Sequence, residues 1–237
     1  MKTFWNTVIY EPIYNALVFI AQHLTGGDVG LAVIGVTLII RFALSPLSKK
    51  SIVGQYKMKA LEPKIAAIKA KGLSKEEEAQ ETFTLYKEEK MNPFSGCLYI
   101  LIQLPILFAL YYVFMKGIYQ PEHLYPFLTT EGLQNLFLGV IDITKPFLPL
   151  AILAGITQAV QAFLTPRPPM PENRDGFQAQ FTKSLSLQTR FILPILIVFI
   201  AKGLAAAVAL YWTVANLFSI GQELYFRRTI RKEHSLS

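Results

Sequence analysis

The sequence predicts an all-α membrane protein: a five-transmembrane-helix core, an N-terminal interfacial amphipathic helix and a cytoplasmic helical hairpin. Three observations lead there. Of the 237 residues, 52% are hydrophobic and 16% charged, with a mean hydropathy of +0.37, whereas a soluble domain carries roughly 25% charged residues. Uncharged apolar runs recur at 97–115, 146–164 and 203–222, each long enough for a hydrocarbon core about 30 Å thick. The basic residues between such runs collect on alternate connections.

Two further segments complete the five. Residues 29–48 have the length of a span but carry Arg41, and 187–201 form a shorter apolar stretch entered through Arg190. The expected spans are 29–48, 96–116, 146–164, 187–201 and 203–224, within one domain of residues 1–237. Only Lys202 and Gly203 separate the last two runs, which therefore form a tight hairpin. Ten lysines fall in 47–93, four basic residues in 165–190 and four in the tail 225–237, so eighteen of 23 lie on one side. Lys2, Lys116, Lys145 and Lys202 lie on the other. The positive-inside rule makes 50–92, 165–186 and 225–237 cytoplasmic, 117–145 an extracytoplasmic loop, the N-terminus outside and the C-terminus inside.

Residues 4–25 read differently. Glu11 and Pro12 interrupt the apolar run, and no small-residue cleavage site follows. Ile13, Leu17, Ile20 and Leu24 recur at helical spacing with Asn15 and Gln22 turned away, as in a helix lying in the outer interface, and Gly26, Gly27 and Asp28 form its elbow. Residues 5–24 are also long enough for a sixth span or an uncleaved signal anchor.

In 50–92 the pattern becomes charged and helical. Leu61, Ile65 and Ile68 share a helix face, Gly72 breaks it, and Ser74 with Glu77 forms a capping box that opens a second helix. Ala79, Phe83 and Tyr86 give that helix a narrow apolar seam before Asn92 and Pro93 stop it. The lysines of this hairpin suit water, lipid headgroups or ribosomal RNA, while interspersed acids dilute any field for specific nucleic-acid recognition, and no DNA binding is expected.

Several function classes fall away. Cys97 is the sole cysteine and His23, His123 and His234 are scattered, so neither a disulfide framework nor a metal or cofactor site is expected. The three uncharged runs contain no Asp or Glu for a proton relay. No Ser-His-Asp set, H-E-x-x-H or Gly-rich phosphate loop occurs, so no enzyme activity is expected. A small-solute transporter would show a broken-helix pair or an inverted repeat, which the sequence lacks.

Polar residues inside the spans are the candidate site. Arg41 lies about 18 Å along a helix from Val29, past the midplane on the cytoplasmic side. With Thr37 and Ser45 it forms an i, i+4, i+8 stripe. A water-filled recess and snorkelling to inner-leaflet phosphates both accommodate the charge. Thr157, Gln158 and Gln161 in the third span, Trp212, Asn216 and Ser219 in the fifth and Gln103 in the second favour a hydrophilic groove over isolated interhelical hydrogen bonds.

The runs YKEEKMNPFSGCLYILIQLPILFALYYVF (86–114), IIRFALSPLSKKS (39–51), LEPKI (61–65) and ALYWTVANLFSIGQ (209–222) resemble the YidC family of membrane protein insertases, whose relatives include the mitochondrial oxidase-assembly and thylakoid proteins. That resemblance covers nearly the whole chain. It implies a monomeric five-helix core in the bacterial plasma membrane, with a groove open to cytoplasm and lipid, closed outside, and Arg41 at the position of the family's groove arginine. It further implies nascent membrane proteins as clients, contact with membrane lipids, and cooperation with the ribosome and the Sec translocon. The absence of a large extracytoplasmic domain before the first helix resembles the compact form of the family. An assembly chaperone that holds clients without moving tails across the membrane is the rival reading.

Overall fold

The computed structural model describes residues 2–89, 95–166 and 188–235. The expected loop 165–186 falls largely outside the described residues, as do 90–94, the last two residues of the tail and the Cys97 side chain. Among the described residues ten α-helices follow in order: α1 (Lys2–Trp5), a π-turn (Asn6–Tyr10), α2 (Glu11–Leu24), α3 (Val29–Ala43), α4 (Ser45–Ala60), α5 (Glu62–Ala70), α6 (Lys75–Glu88), α7 (Ser95–Lys116), α8 (Leu148–Leu164), α9 (Leu193–Ala201, after a π-turn over Gln188–Ile192) and α10 (Ala206–Ser235). Between α7 and α8 lies a two-stranded antiparallel hairpin, β1 (Leu136–Phe137) and β2 (Ile141–Asp142), with Leu136 opposite Asp142.

The segment expected as one span at 29–48 is not one straight helix. α3 ends at Ala43 and α4 starts at Ser45 with an axis bent by 61°, Pro46 standing in its first turn where no amide donor is required. Among the described residues no single helix is long and apolar enough to cross a membrane unaided, and only α3 and α4 together pass on length and composition.

Large apolar side chains line both the inside and the outside. Val33 and Val36 of α3, Leu110 and Val113 of α7, Ala151 of α8 and Ala207, Ala209 and Ala215 of α10 are buried at the centre. On the outside, Ile195 and Phe199 of α9 and Ile156 and Phe163 of α8 are half exposed or more. So much exposed apolar surface on one face is what a lipid-facing wall requires. α8 and α9 approach closely at Gly155, where an added Cβ would stand 2.2 Å from Val198 Cγ2 and 3.0 Å from the Pro194 carbonyl oxygen.

α2 is more than a surface amphipath. Tyr14, Leu17, Val18 and Ala21 are fully buried against α3 and the segment that follows α7. Asn15, expected to turn away, is 2% exposed: its amide donates to the carbonyls of Glu11 and His123, both at 2.8 Å, and its oxygen accepts from the Tyr125 amide at 2.7 Å. Tyr14 donates to the Ile118 carbonyl at 2.8 Å, and Tyr10 donates to Gln120 Oε1 at 2.6 Å. Tyr10, Tyr14 and Asn15 therefore fasten residues 118–125 rather than face solvent.

The segment before α8 in turn closes one end of the bundle. The Ile143 and Lys145 carbonyls accept the first amides of α10, from Ala207 and Ala206, and Gln134 exchanges backbone hydrogen bonds with Gly27 and Val29 at the start of α3. These are helix-end groups that would otherwise be orphaned. Asp28 caps α3 through the Leu31 amide at 2.9 Å and also accepts from the Leu138 amide at 2.8 Å. α3, α8 and α10 start at this end, and α7 and α9 finish there. What the sequence shows as a plain loop is thus an ordered cover.

The charged hairpin forms as α5 and α6, with the Ser74–Glu77 capping box in place and the turn at Gly72, φ +68°. Leu61 and Ile65 are buried, but Phe83 is 50% exposed beneath Lys87 instead of filling a seam. Exposed ion pairs, Lys64–Glu89 at 2.5 Å and Lys71–Glu81 at 2.7 Å, join the two helices and contribute little each.

Two measurements test this packing. Gly155→Ala should lower thermal stability in detergent by about 1–3 kcal/mol through overpacking, and Val198→Ala should recover part of that loss. Beside β2, Lys145 and the Thr144 hydroxyl hold the Asp142 carboxyl down at about 2 from an ordinary 3.8. Its contribution to the cover's stability should be complete above about 3.8 and fade as the pH falls toward 2. Carboxyl NMR should place the Asp142 midpoint near 2, and Lys145→Ala should move it back up.

Candidate functional site

Arg41 occupies the last turn of α3 and is 5% exposed. One turn earlier Thr37 is wholly buried and donates its hydroxyl to the Val33 carbonyl at 2.6 Å, satisfying itself within the helix. Tyr211 of α10, also buried, lies close enough for its hydroxyl to interact electrostatically with the guanidinium, and it accepts a hydrogen bond from Gln103 Nε2 of α7. One tyrosine thereby links α7 and α10 beside the buried charge of α3.

Below Arg41 the polar stripe continues across the α3–α4 bend. Ser45 Oγ accepts from Gln222 Nε2 of α10 at 2.8 Å, and Ser48 and Ser51 of α4 are buried one and two turns further on. Phe42 meets Phe218 edge to face at 4.9 Å between ring centroids, and the Lys49 ammonium stands 5.9 Å from the Phe226 ring. Glu223, 5% exposed, accepts from the Tyr56 hydroxyl and has Arg227 one turn away. α4 and α10 therefore share a mixed polar and aromatic seam.

On its other side α10 meets α8 through amides and hydroxyls. Asn216 Nδ2 donates to Thr157 Oγ1 at 3.3 Å and to the Ala154 carbonyl at 3.4 Å. Thr157 passes its own proton to the Leu153 and Ala154 carbonyls, at 2.9 and 3.0 Å. Thr213 and Ser219 return theirs to the carbonyls of Ala209 and Ala215.

Of the residues expected in the site, Thr37, Arg41 and Asn216 are buried, and Ser45 and Gln103 are half-buried and hydrogen-bonded to α10. Gln158, Gln161 and Trp212 are half-buried and their side chains stand outside this hydrogen-bond network. Three residues of the arrangement escaped the sequence reading. Tyr211 reads as a core aromatic, and Gln222 marks where the apolar run ends. Glu223 lies one residue past that run, yet its spacing from Asn216 and Ser219 continues their stripe, a signal the sequence does carry.

Helices that gather polar side chains and one buried guanidinium inside, with large apolar side chains outside, define a helical membrane protein. The chain belongs to the family described as 60Kd inner membrane protein, which matches residues 20–233. It is 34% identical over 227 residues to the membrane protein insertase YidC of Stutzerimonas stutzeri strain A1501, covering 92% of this chain and 37% of that protein. To the insertase YidC of Azotobacter vinelandii strain DJ it is 34% identical over 233 residues, 97% of this chain and 37% of the relative. With that of Cellvibrio japonicus strain Ueda107 it shares 33% over 232 residues, 98% and 38% respectively. The chain spans a little over a third of the length of these curated relatives.

The α8–α10 contact can be tested directly. Thr157→Val or Asn216→Leu alone removes the Asn216–Thr157 hydrogen bond, while the remaining partner keeps a bond to a backbone carbonyl, and should cost about 0.5–1.5 kcal/mol. The double variant should cost less than the sum, as measured by a denaturation cycle in detergent.

Proposed function

We infer that this chain is a membrane protein insertase that takes newly made membrane proteins into the bilayer through a polar groove centred on Arg41. The observation that carries this reading is a single guanidinium, 5% exposed, set among polar side chains of α3, α7 and α10 in a chain of the insertase's family. The groove also draws on Thr37, Ser45, Gln103 and Asn216, with Gln158, Gln161 and Trp212 at its margin.

In this reading α3 with the start of α4, α7, α8, α9 and α10 are five spans in the bacterial inner membrane. The N-terminus and the 117–145 cover lie outside, while α5, α6 and the basic end of α10 lie in the cytoplasm. The bias of eighteen basic residues to that side supports it. A hydrophobic segment with a short acidic or polar outer tail arrives from the cytoplasm, in concert with the ribosome and the Sec translocon or alone. Arg41 holds the tail transiently, because a carboxylate near a guanidinium is attracted far more at low dielectric than in water. The groove shortens the path over which polar groups go unsolvated. The apolar segment then leaves sideways along the α8–α9 wall into lipid, driven by burial at roughly 25 cal/mol per Å². One copy of the chain suffices for this cycle, with no nucleotide consumed.

A holding chaperone without tail translocation is the second reading. It is favoured by how far Thr37, Ser45, Thr157 and Asn216 already satisfy one another and the backbone.

The test is insertion of a single-span client with an acidic outer tail into liposomes that contain only this protein, scored by protease protection of the tail. Wild type should protect. Arg41→Ala should reduce the insertion rate about tenfold, the loss of roughly 1.4 kcal/mol that one charge-assisted contact supplies. Arg41→Lys should retain an intermediate rate, since it keeps the charge but loses the planar fork. Full protection with Arg41→Ala would discard charge capture, and no protection at all would favour the chaperone.

A further inference from the structure

The cover that closes the outer end presents large apolar side chains away from the protein. Leu138 and Val140 at the hairpin tip are 64% and 81% exposed, Leu136 on β1 is 49% exposed, and Phe127 shortly before it is 73% exposed. The tip is also strained. Leu138 has φ +52°, the only positive φ at a non-glycine among the described residues, and it is followed by Gly139 at +73°. Turns of this primed kind favour asparagine at the first position, because its short polar side chain tolerates the left-handed region. A leucine held there, with its side chain outside the core, spends stability on something other than packing.

Its position is nevertheless fixed. The Leu138 amide donates to Asp28 Oδ2 at 2.8 Å while the other oxygen of that carboxylate caps α3. On the opposite face Phe137 is buried over Gly30, where an added Cβ would stand 2.4 Å from the ring. The tip is thus held in register with the start of α3. After β2 the chain passes the Asp142–Lys145 ion pair and enters α8, whose exposed apolar residues begin at Leu148 and go on through Ile152 and Ile156. The apolar tip, the charged pair and the apolar helix face succeed one another at the end where the spans begin.

We propose that the hairpin tip is a lipid-inserting foot. Leu138 and Val140, flanked by Leu136 and Phe127, enter the acyl region of the outer leaflet, while Asp142 and Lys145 stay at the headgroups. The occupant is lipid because the chain leads from the apolar tip, past a single ion pair, directly into the exposed apolar residues of α8, and the inference rests on reading α8 as a span. Since Asp28 joins the tip to α3, the foot fixes the depth at which α3 carries Arg41.

The test uses spin labels in a Cys97→Ser background, which removes the sole cysteine. Labels at Leu138, Val140, Glu131 and Ile152, each introduced as cysteine, are compared in phosphatidylcholine–phosphatidylglycerol vesicles for collision with oxygen and with a water-soluble nickel chelate. Val140, the most exposed of the four apolar tip residues, tolerates a label even if Leu138 does not. Labels at Leu138 and Val140 should give an oxygen-to-nickel ratio several-fold above that of Glu131 and approaching that of Ile152. Ratios equal to that of Glu131, with Ile152 in lipid, would place the tip in water and overturn the foot alone. An Ile152 label accessible to nickel would overturn the span assignment and the foot with it. Tip labels shielded from both reagents would assign the surface to a second copy or a protein partner and overturn lipid insertion.

Discussion

A guanidinium buried inside a helical bundle constrains everything around it. Removing such a charge from water costs several kcal/mol or more unless polar groups and electrostatic partners surround it, and lipid supplies neither. The structure answers with the Tyr211 hydroxyl of α10, which Gln103 of α7 holds in turn, while Thr37 one turn back on α3 satisfies its own hydroxyl within the helix. Two residues beyond Arg41, α3 stops and the chain turns by 61° into α4, whose serines continue the polar stripe against α10. α3 and the bend that follows it are therefore one device for keeping a polar column inside an apolar shell.

That column depends on close approach between helices. In lipid, one apolar wall has no hydrophobic reason to prefer another helix to acyl chains, so contact must come from shape and hydrogen bonding. α10 supplies both. Its alanines let α3 and α8 come near, and Asn216, Thr157, Gln222 and Ser45 then bond across the gaps that small residues leave. Gly155 does the same for α8 and α9, whose other faces carry large exposed apolar residues. The half of the molecule formed by α8 and α9 is held mainly by fit, whereas the Arg41 half is held by polar pairing.

At the covered end the controlling principle is satisfaction of backbone groups. The amides that begin α3 and α10 would be orphaned at the boundary of a low-dielectric region, and the cover provides carbonyls from Gln134, Ile143 and Lys145 in return. Asp28 works twice, as the N-cap of α3 and as the anchor of the hairpin turn. The π-turn and α2 then clamp the cover from beneath, through Tyr10 of the turn and Tyr14 and Asn15 of the helix. The closure of that end of the bundle is thus a consequence of how its helices start.

By itself the sequence determined what composition and periodicity control: helical class, apolar segments, the lopsided lysines and arginines, the capping box at Ser74, and an arginine on a polar stripe with Thr37 and Ser45. These are local properties, written in spacings of three and four residues or in segment-wide averages. The tertiary structure decided what depends on partners distant in the chain. Asn15 turned out to be an anchor because His123 and Tyr125 come to it, and a stripe cannot show that. Phe83 stayed exposed because α5 offers it no socket. Tyr211 joined the site only because α7 brings Gln103 to it, and Glu223 because α4 brings Tyr56. The break after Ala43 has a local signal in Pro46, whereas the direction α4 takes goes with its packing along α10 and α7, contacts that no window over residues 29–48 contains.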